Sequence, residues 1–269
     1  MEKITLQSSD NVPYSVELPE PTPGQKSAYL FAYAKSGSTL MDNMISDYCR
    51  QVGTACFSLF GQAFAQGIRT SDVRSDALVC FRPEGFVYSG FRHYPQFTLP
   101  LENETIVLLV RDPRDMLVSL YFSIAKSHVI PKGNAKFKAE REQAVQQSID
   151  EFVTQRADGY LRQFRRYEKQ LDKLNVRVYR YEDVIYDKGP WLRDMVRVIG
   201  LPEKPDLIGS IASRFDVVPE QEQEAQHIRQ VHPGNHRRKL KPETISKINQ
   251  TLEPFLSAHG YRDADDSPA

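Results

Sequence analysis

The sequence lacks an excess of either charge. Its 269 residues carry 35 Lys+Arg and 35 Asp+Glu, for a formal net charge of zero and a pI near 7.0. A protein that grips a polyanion shows a basic surplus, so the balance argues against nucleic acid as a partner. Local basic clusters can still hold a small anion. Cysteine is scarce: Cys49, Cys56 and Cys80 have neither paired nor metal-type spacing, which fits a reducing, cytoplasmic setting. No apolar run reaches the roughly 18 residues of a membrane helix. The polar start MEKITLQSSD has no signal-peptide core, and repeats and low-complexity segments are absent.

What is present is length enough for one large α/β domain over residues 1–269. Residues 1–27 read as an N-terminal extension with a short strand or two and the Pro-rich stretch LPEPTPGQK. The end, about 262–269, reads as a flexible tail. Tyr29 to Ala34 is nearly all apolar, like a strand buried on both faces. Leu40, Met41, Met44, Ile45 and Tyr48 then fall on one face of a helix. The design recurs at TIVLLVRDPRDMLVSLYFSIAK (105–126), where Ile106 to Val110 form a strand, Asp112 caps a helix and Pro113 opens it. A third strand, VRVYRYE (176–182), precedes a helix with the stripe Trp191, Leu192, Met195, Val196 and Ile199. A further strand is expected at 86–91 and a long helical region at about 141–174. Strands alternating with helices imply a central parallel sheet flanked by helices, with ligands beyond the carboxyl ends of the strands. The Lys35 loop and the Arg111 turn both follow such ends.

Between the first strand and helix lies AKSGST. A loop feeding a helix N-terminus points backbone N–H groups at a bound anion. Gly37 permits close approach, Ser36, Ser38 and Thr39 add hydroxyls, and Lys35 supplies positive charge. The ATP-binding pattern places its lysine after the second glycine; here the lysine comes first. The segment VRDPRDMLVS sets Arg111 at a strand end and Ser119 eight residues on. Arginine binds phosphate bidentately and serine can complete its shell. Arg114 and Asp115 between them read as a solvated turn pair or helix cap. No His/Cys/Asp cluster has ligand spacing, so no metal is implied.

AKSGST and VRDPRDMLVSLYFS together resemble the two nucleotide-binding motifs of the cytosolic-type sulfotransferases. That resemblance implies a P-loop NTPase-like sulfotransferase fold and the donor 3′-phosphoadenosine 5′-phosphosulfate (PAPS), leaving adenosine 3′,5′-bisphosphate (PAP) as product. Lys35, Ser36, Gly37, Ser38 and Thr39 would hold the 5′-phosphosulfate end, and Arg111 and Ser119 the 3′-phosphate. FRHYP (91–95) resembles the family's Lys-Thr-His-Leu-Pro segment and implies His93 as the base. YRYEDV implies an adenosine contact for Tyr181, and SRF (213–215) implies that Ser213 and Phe215 lie at the adenine. RQVHPGNHR (229–237) resembles a loop that closes over the 3′-phosphate, implying roles for Arg229, Gly234 and Arg237. The catalytic group is then Lys35, His93 and Ser119.

The departures are specific. Leu40 stands where many members carry a tryptophan. Phe91 replaces a lysine two residues before His93, a loss that Arg92 can make good. Gln230, Val231 and His236 replace the lysine, first glycine and tryptophan of the C-terminal loop. The acceptor is expected to be a small or lipid-like molecule with a hydroxyl or amine. Residues 53–97 hold nine aromatic rings, twice the chain's 10%, which suits either an apolar acceptor pocket or core packing. The polar stretch SHVIPKGNAKFKAE (127–140) suits an acceptor lid. Two rivals stand beside this reading, a P-loop kinase or NTPase and a non-catalytic nucleotide-binding relative; a glycan-directed member with a carboxylate base such as Glu84 is a variant within it. A homodimer is left open.

Overall fold

The computed structural model describes residues 1–127, 135–219 and 230–262. The chain divides into two compact units. The first comprises Met1–Val110 with Lys169–Val217, and the second Arg111–Glu168 with Val218–Ala269. Half of the expected lid, residues 128–134, and Arg229, within 220–229, lie outside the described residues.

In the first unit an antiparallel hairpin, β1 (Glu2–Gln7) and β2 (Pro13–Leu18), precedes a five-stranded sheet. Its strands are β3 (Ala28–Ala32), β4 (Cys56–Phe57), β5 (Val87–Phe91), β6 (Thr105–Val110) and β7 (Val176–Arg180). Their order is β4-β5-β3-β6-β7, with every pairing parallel. Every residue of β3 is buried, because its two faces pack against different partners. Ala28, Leu30 and Ala32 meet Met41, Met44, Ile45 and Tyr48 of α1 (Ser38–Val52) and Trp191, Leu192 and Met195 of α7 (Lys188–Val198). On the other face Tyr29 lies 4.8 Å from the ring of Tyr88, and Phe31 4.5 Å from that of Phe91. Such pairs each add about 0.5–1.5 kcal/mol beyond their buried area. Of the nine rings of residues 53–97 only Phe64 is exposed. The aromatic enrichment therefore belongs to the core of the sheet, which removes it as evidence for an acceptor pocket.

β3 ends two residues earlier than expected, at Ala32, and β7 ends at Arg180, where Tyr181 opens the short helix α6 (Tyr181–Val184). α2 (Leu59–Ala65) and α8 (Pro205–Phe215) complete the unit.

The second unit is helical among its described residues. It contains α3 (Pro113–Phe122), which a π turn (Ser123–Ser127) extends, and α4 (Ala135–Gln146). Most of α5 (Ile149–Leu171), α9 (Asn235–Lys239) and α10 (Pro242–Ala258) follow. Asp112 caps α3 by accepting the Arg114 N–H at 2.9 Å, and Pro113 occupies the first helical position. Arg114 is not solvated. It is 1% exposed and donates from Nη2 to Asp112 (2.8 Å) and to the Tyr261 carbonyl (3.0 Å). A buried guanidinium has to be paired and hydrogen-bonded in this way, and it ties the start of α3 to the segment after α10.

Candidate active site

In the first unit the chain leaves the central strand β3 through the Lys35 loop at the carboxyl edge of the sheet. Lys35 is half-buried and takes a left-handed backbone, φ +71°. Ser36 is fully buried, and both its amide (3.2 Å) and its hydroxyl (2.8 Å) donate to the Tyr33 carbonyl. It builds the turn, so these donors are not available to an anion as the sequence suggested. Gly37 caps α1 at φ 95° without a side-chain cap. The first intrahelical bond runs from the Met41 amide to the Gly37 carbonyl at 3.1 Å. The amides of Ser38, Thr39 and Leu40 precede it, as in a helix end that accepts an anion. A Cβ on residue 37 would meet the Tyr181 ring at 2.9 Å, so Tyr181 closes over this loop.

The segment after β5 reaches the same loop. Nη2 of Arg92 donates to Oγ1 of Thr39 at 3.1 Å, which brings a cation back where Phe91 has replaced one. Phe91 itself is 1% exposed among the core rings. His93 is half-buried, and its ring takes no hydrogen bond among the described residues. Burial, then the Arg92 charge, lowers its pKa from the ordinary value, so the neutral, proton-accepting form is favoured. Asp42 had no role in the sequence reading, yet its Oδ1 accepts the Gly90 N–H at 3.0 Å. Desolvation raises this carboxyl to about 6, against the Gly90 amide and Arg92, which pull it down. Glu84 cannot serve as the carboxylate base at this edge. It precedes β5 and pairs with Lys26 just before β3, at the opposite end of the strands.

Ser213 and Phe215 end α8. Ser213 is exposed, and Phe215 packs partly against the core cluster with the Arg214 guanidinium 5.6 Å from its ring centre. Arg214 also pairs with Asp47 of α1 at 2.5 Å.

In the second unit Arg111 and Asp115 form a buried pair, with Arg111 Nη2 3.7 Å from Asp115 Oδ2. Oδ2 accepts the Gly234 amide at 2.8 Å. Oδ1 accepts the His236 amide at 2.8 Å and meets His236 Nδ1 at 2.7 Å. Burial alone would raise this carboxyl, but the His236 hydrogen bonds and the Arg111 charge bring it down to about 2. Asp115 is therefore no solvated cap but the post on which the Gly234–His236 turn hangs. The available sequence signal was its place four residues after Arg111. Ser119 is half-buried on α3, and its hydroxyl has no hydrogen bond among the described residues. Arg237 is exposed on α9. No group of three His, Cys, Asp or Glu side chains able to hold a metal gathers among the described residues. None of their helices is long and apolar enough to cross a membrane.

The family profile described as "Sulfotransferase domain" matches residues 92–258, more than half of the chain. Among curated proteins none matches the sequence significantly. The fold is similar to the crystal structure of mouse sulfotransferase SULT7A1 complexed with PAP. The two share 12% identity at a TM-score of 0.59, covering 89% of this chain and 85% of that one. Retinol dehydratase in complex with androsterone and inactive cofactor PAP matches at 15% identity and a TM-score of 0.58, covering 89% and 83%. The same enzyme with retinol and PAP matches at 14% and 0.50, covering 94% and 85%.

Proposed function

The chain belongs to the sulfotransferase domain family, and from that premise we propose that it moves a sulfuryl group from PAPS to the hydroxyl or amine of a small or lipid-like acceptor. The observation that carries the proposal is the arrangement at the carboxyl edge of the first unit. An uncapped helix start follows Lys35, and Arg92, bonded to Thr39, sets His93 as the next residue. These groups fit an anionic, phosphate-bearing donor. Lys35 and the amides of Ser38, Thr39 and Leu40 would hold its 5′ end, with Tyr181 against the loop. In the second unit Arg111, Ser119, Gly234 and Arg237 would serve the 3′-phosphate, with Asp115 fixing the turn that carries Gly234. Ser213 and Phe215 are kept as candidates for the adenine.

When bound, the donor supplies an activated sulfuryl group on a good leaving phosphate. His93, held neutral by burial, accepts the proton of the acceptor hydroxyl, so that the oxygen attacks as an anion. A new O–S bond forms in line as the S–O bond to the leaving phosphate breaks. Lys35 offsets the charge that develops on the departing oxygen.

The test is calorimetric titration with PAP against ATP plus magnesium, followed by transfer from labelled PAPS to a panel of hydroxyl and amine acceptors. Retinol- and androsterone-like alcohols, which two of the similar structures contain, are a reasoned start to the panel. Binding of PAP is expected, weakened about 10- to 100-fold in Arg111→Ala, the worth of one or two charged hydrogen bonds. PAP binding without transfer to any acceptor means a non-catalytic relative. Preference for ATP–magnesium overturns the donor assignment.

A further inference from the structure

The strand that delivers His93 is irregular. Tyr88 of β5 pairs with Tyr29 of β3, but Phe91, three residues on, pairs with Phe31, only two on. The surplus residue falls at Ser89–Gly90, and Gly90 has φ +80°, the left-handed geometry of a bulge. Side chains along a strand alternate between faces, so one extra residue decides which face each later side chain takes. Here it turns Phe91 into the ring cluster, 4.5 Å from Phe31, and Arg92 and His93 follow at the carboxyl edge.

A bulge leaves backbone groups outside the ladder. The Gly90 N–H is taken by Oδ1 of Asp42 at 3.0 Å. The other flank is closed by Ser58, the cap of α2, whose Oγ would lie 2.0 Å from a Cβ on residue 90. Asp42 stands on α1 three residues beyond Thr39, and Thr39 is itself held by Arg92. Two links therefore tie one turn of α1 to both ends of the stretch 90–92, and His93 comes next. The titratable groups facing Asp42 are Arg92, from the segment after β5, and the Cys56 thiol of β4, which contacts Ser46 and Ser89.

We propose that Asp42 is a positioning residue: its carboxylate clasps the Gly90 bulge to α1 and thereby fixes the Arg92–His93 segment against the Lys35 loop. The catalytic half of this inference rests on the sulfotransferase reading above; the clasp itself needs no ligand. An ionised acceptor makes a shorter and stronger bond than a neutral one. Since this carboxyl titrates at about 6, the clasp is firm at neutral pH and loosens in mild acid.

Two measurements test this. In the ligand-free protein the Gly90 amide resonance is followed by NMR from about pH 5 to about pH 8, a range that brackets the Asp42 value. In wild type it is expected to titrate with a midpoint near 6. In Asp42→Asn, whose side-chain oxygen can still accept the bond, it is expected to stay flat. A flat wild-type resonance, or one that still titrates in Asp42→Asn, overturns the clasp. In turnover, Asp42→Ala is expected to lower kcat on the order of ten- to a hundred-fold, the scale of a misplaced catalytic group, with the donor KM little changed. Asp42→Asn is expected to restore most of kcat near neutral pH and to remove one ionisation from the acid limb. Wild-type kcat in Asp42→Ala, or a change confined to KM, overturns the positioning role. An amide that titrates as expected in a protein that transfers to no acceptor supports the clasp and overturns the enzymatic reading instead.

Discussion

Replacing Gly37 with alanine probes the anion loop directly, and the structure sets the size of the effect. At φ 95° and ψ 14° an L-residue places Cβ against its own backbone, which costs roughly 1–2 kcal/mol. The new Cβ would also stand 2.9 Å from Cδ2 and 3.1 Å from Cε2 of Tyr181. That is well inside the roughly 3.5–4.0 Å of an ordinary carbon contact. The ring is 5% exposed and begins α6, so its displacement adds about 1 kcal/mol, at the low end of overpacking costs. The sum is about 2–3 kcal/mol. For a chain of this size it should lower the melting temperature by about 4–12 °C. A double-mutant cycle with Tyr181→Ala separates the two parts. Removing the ring should relieve the contact, leaving a coupling of about 1 kcal/mol, but not the backbone strain. PAP affinity, read by calorimetry, should fall with the melting temperature, because the strained turn moves the amides of Ser38 to Leu40. Unchanged melting in Gly37→Ala, or strict additivity with Tyr181→Ala, would refute the packing of Tyr181 on this glycine.

Lys35→Ala and His93→Ala should both leave turnover nearly abolished, by about 10²–10⁴-fold, the range for a positioned base or a charge-stabilising donor. Single-turnover sulfation measures it, and surviving turnover in either variant removes that residue's role. Because His93 is lowered from its ordinary value of 6.5, the acid limb of kcat/KM should lie below that pH, as a pH–rate profile would reveal. Asp115 works in the opposite direction. Its carboxyl is depressed to about 2 in the fold against about 3.9 unfolded. Its contribution, on the order of 2–3 kcal/mol, is present above roughly pH 4 and lost as pH falls through about 2. Urea unfolding of Asp115→Asn should show that deficit at neutral pH and a gap that narrows in acid. A deficit that does not change with pH would mean that the Arg111 and His236 partners are not what hold the carboxylate ionised.

Four of the five strands of the sheet were legible because their signals are local; β4, two residues long, had none to read. Five consecutive buried residues in β3 and the stripe of α1 follow from apolar spacing alone. The Asp112 cap and Pro113 follow from helix-start chemistry. The side-chain links were not legible, because each joins residues far apart in sequence. Asp42 and Gly90 are 48 positions apart, Thr39 and Arg92 53, and Asp115 and His236 121. The nine rings were ambiguous for a related reason. An apolar ring prefers burial whether a ligand or a neighbouring ring covers it, and composition cannot tell one from the other.

These same links explain why the departures from the family pattern need not be losses. Compared residue by residue, Phe91 for lysine removes a cation and His236 for tryptophan exchanges an indole for a smaller, more polar imidazole. Each change is answered by a polar neighbour. The bulge at Gly90 sends Phe91 into the core, and Arg92 reaches Thr39. His236 brings two ring nitrogens into a buried site, where an unpaired one costs about 1–3 kcal/mol: Asp115 meets Nδ1 at 2.7 Å, and Nε2 has no partner among the described residues. The same carboxylate already takes the amides of Gly234 and His236. Leu40 is the exception. It packs against the hydrophobic core cluster, so an aliphatic side chain stands where the tryptophan would be. Of these three departures, the one at Leu40 is therefore the one to test at the donor. Leu40→Trp should tighten PAP binding by about 1–3 kcal/mol if a base stacks there, the worth of one aromatic–base contact, while Phe91→Lys should only bury an unpaired charge in the ring cluster and unfold the sheet edge. Calorimetry on the first variant and a thermal melt on the second would decide it: no gain in affinity from Leu40→Trp, or wild-type melting of Phe91→Lys, would refute this division of the departures into answered and unanswered.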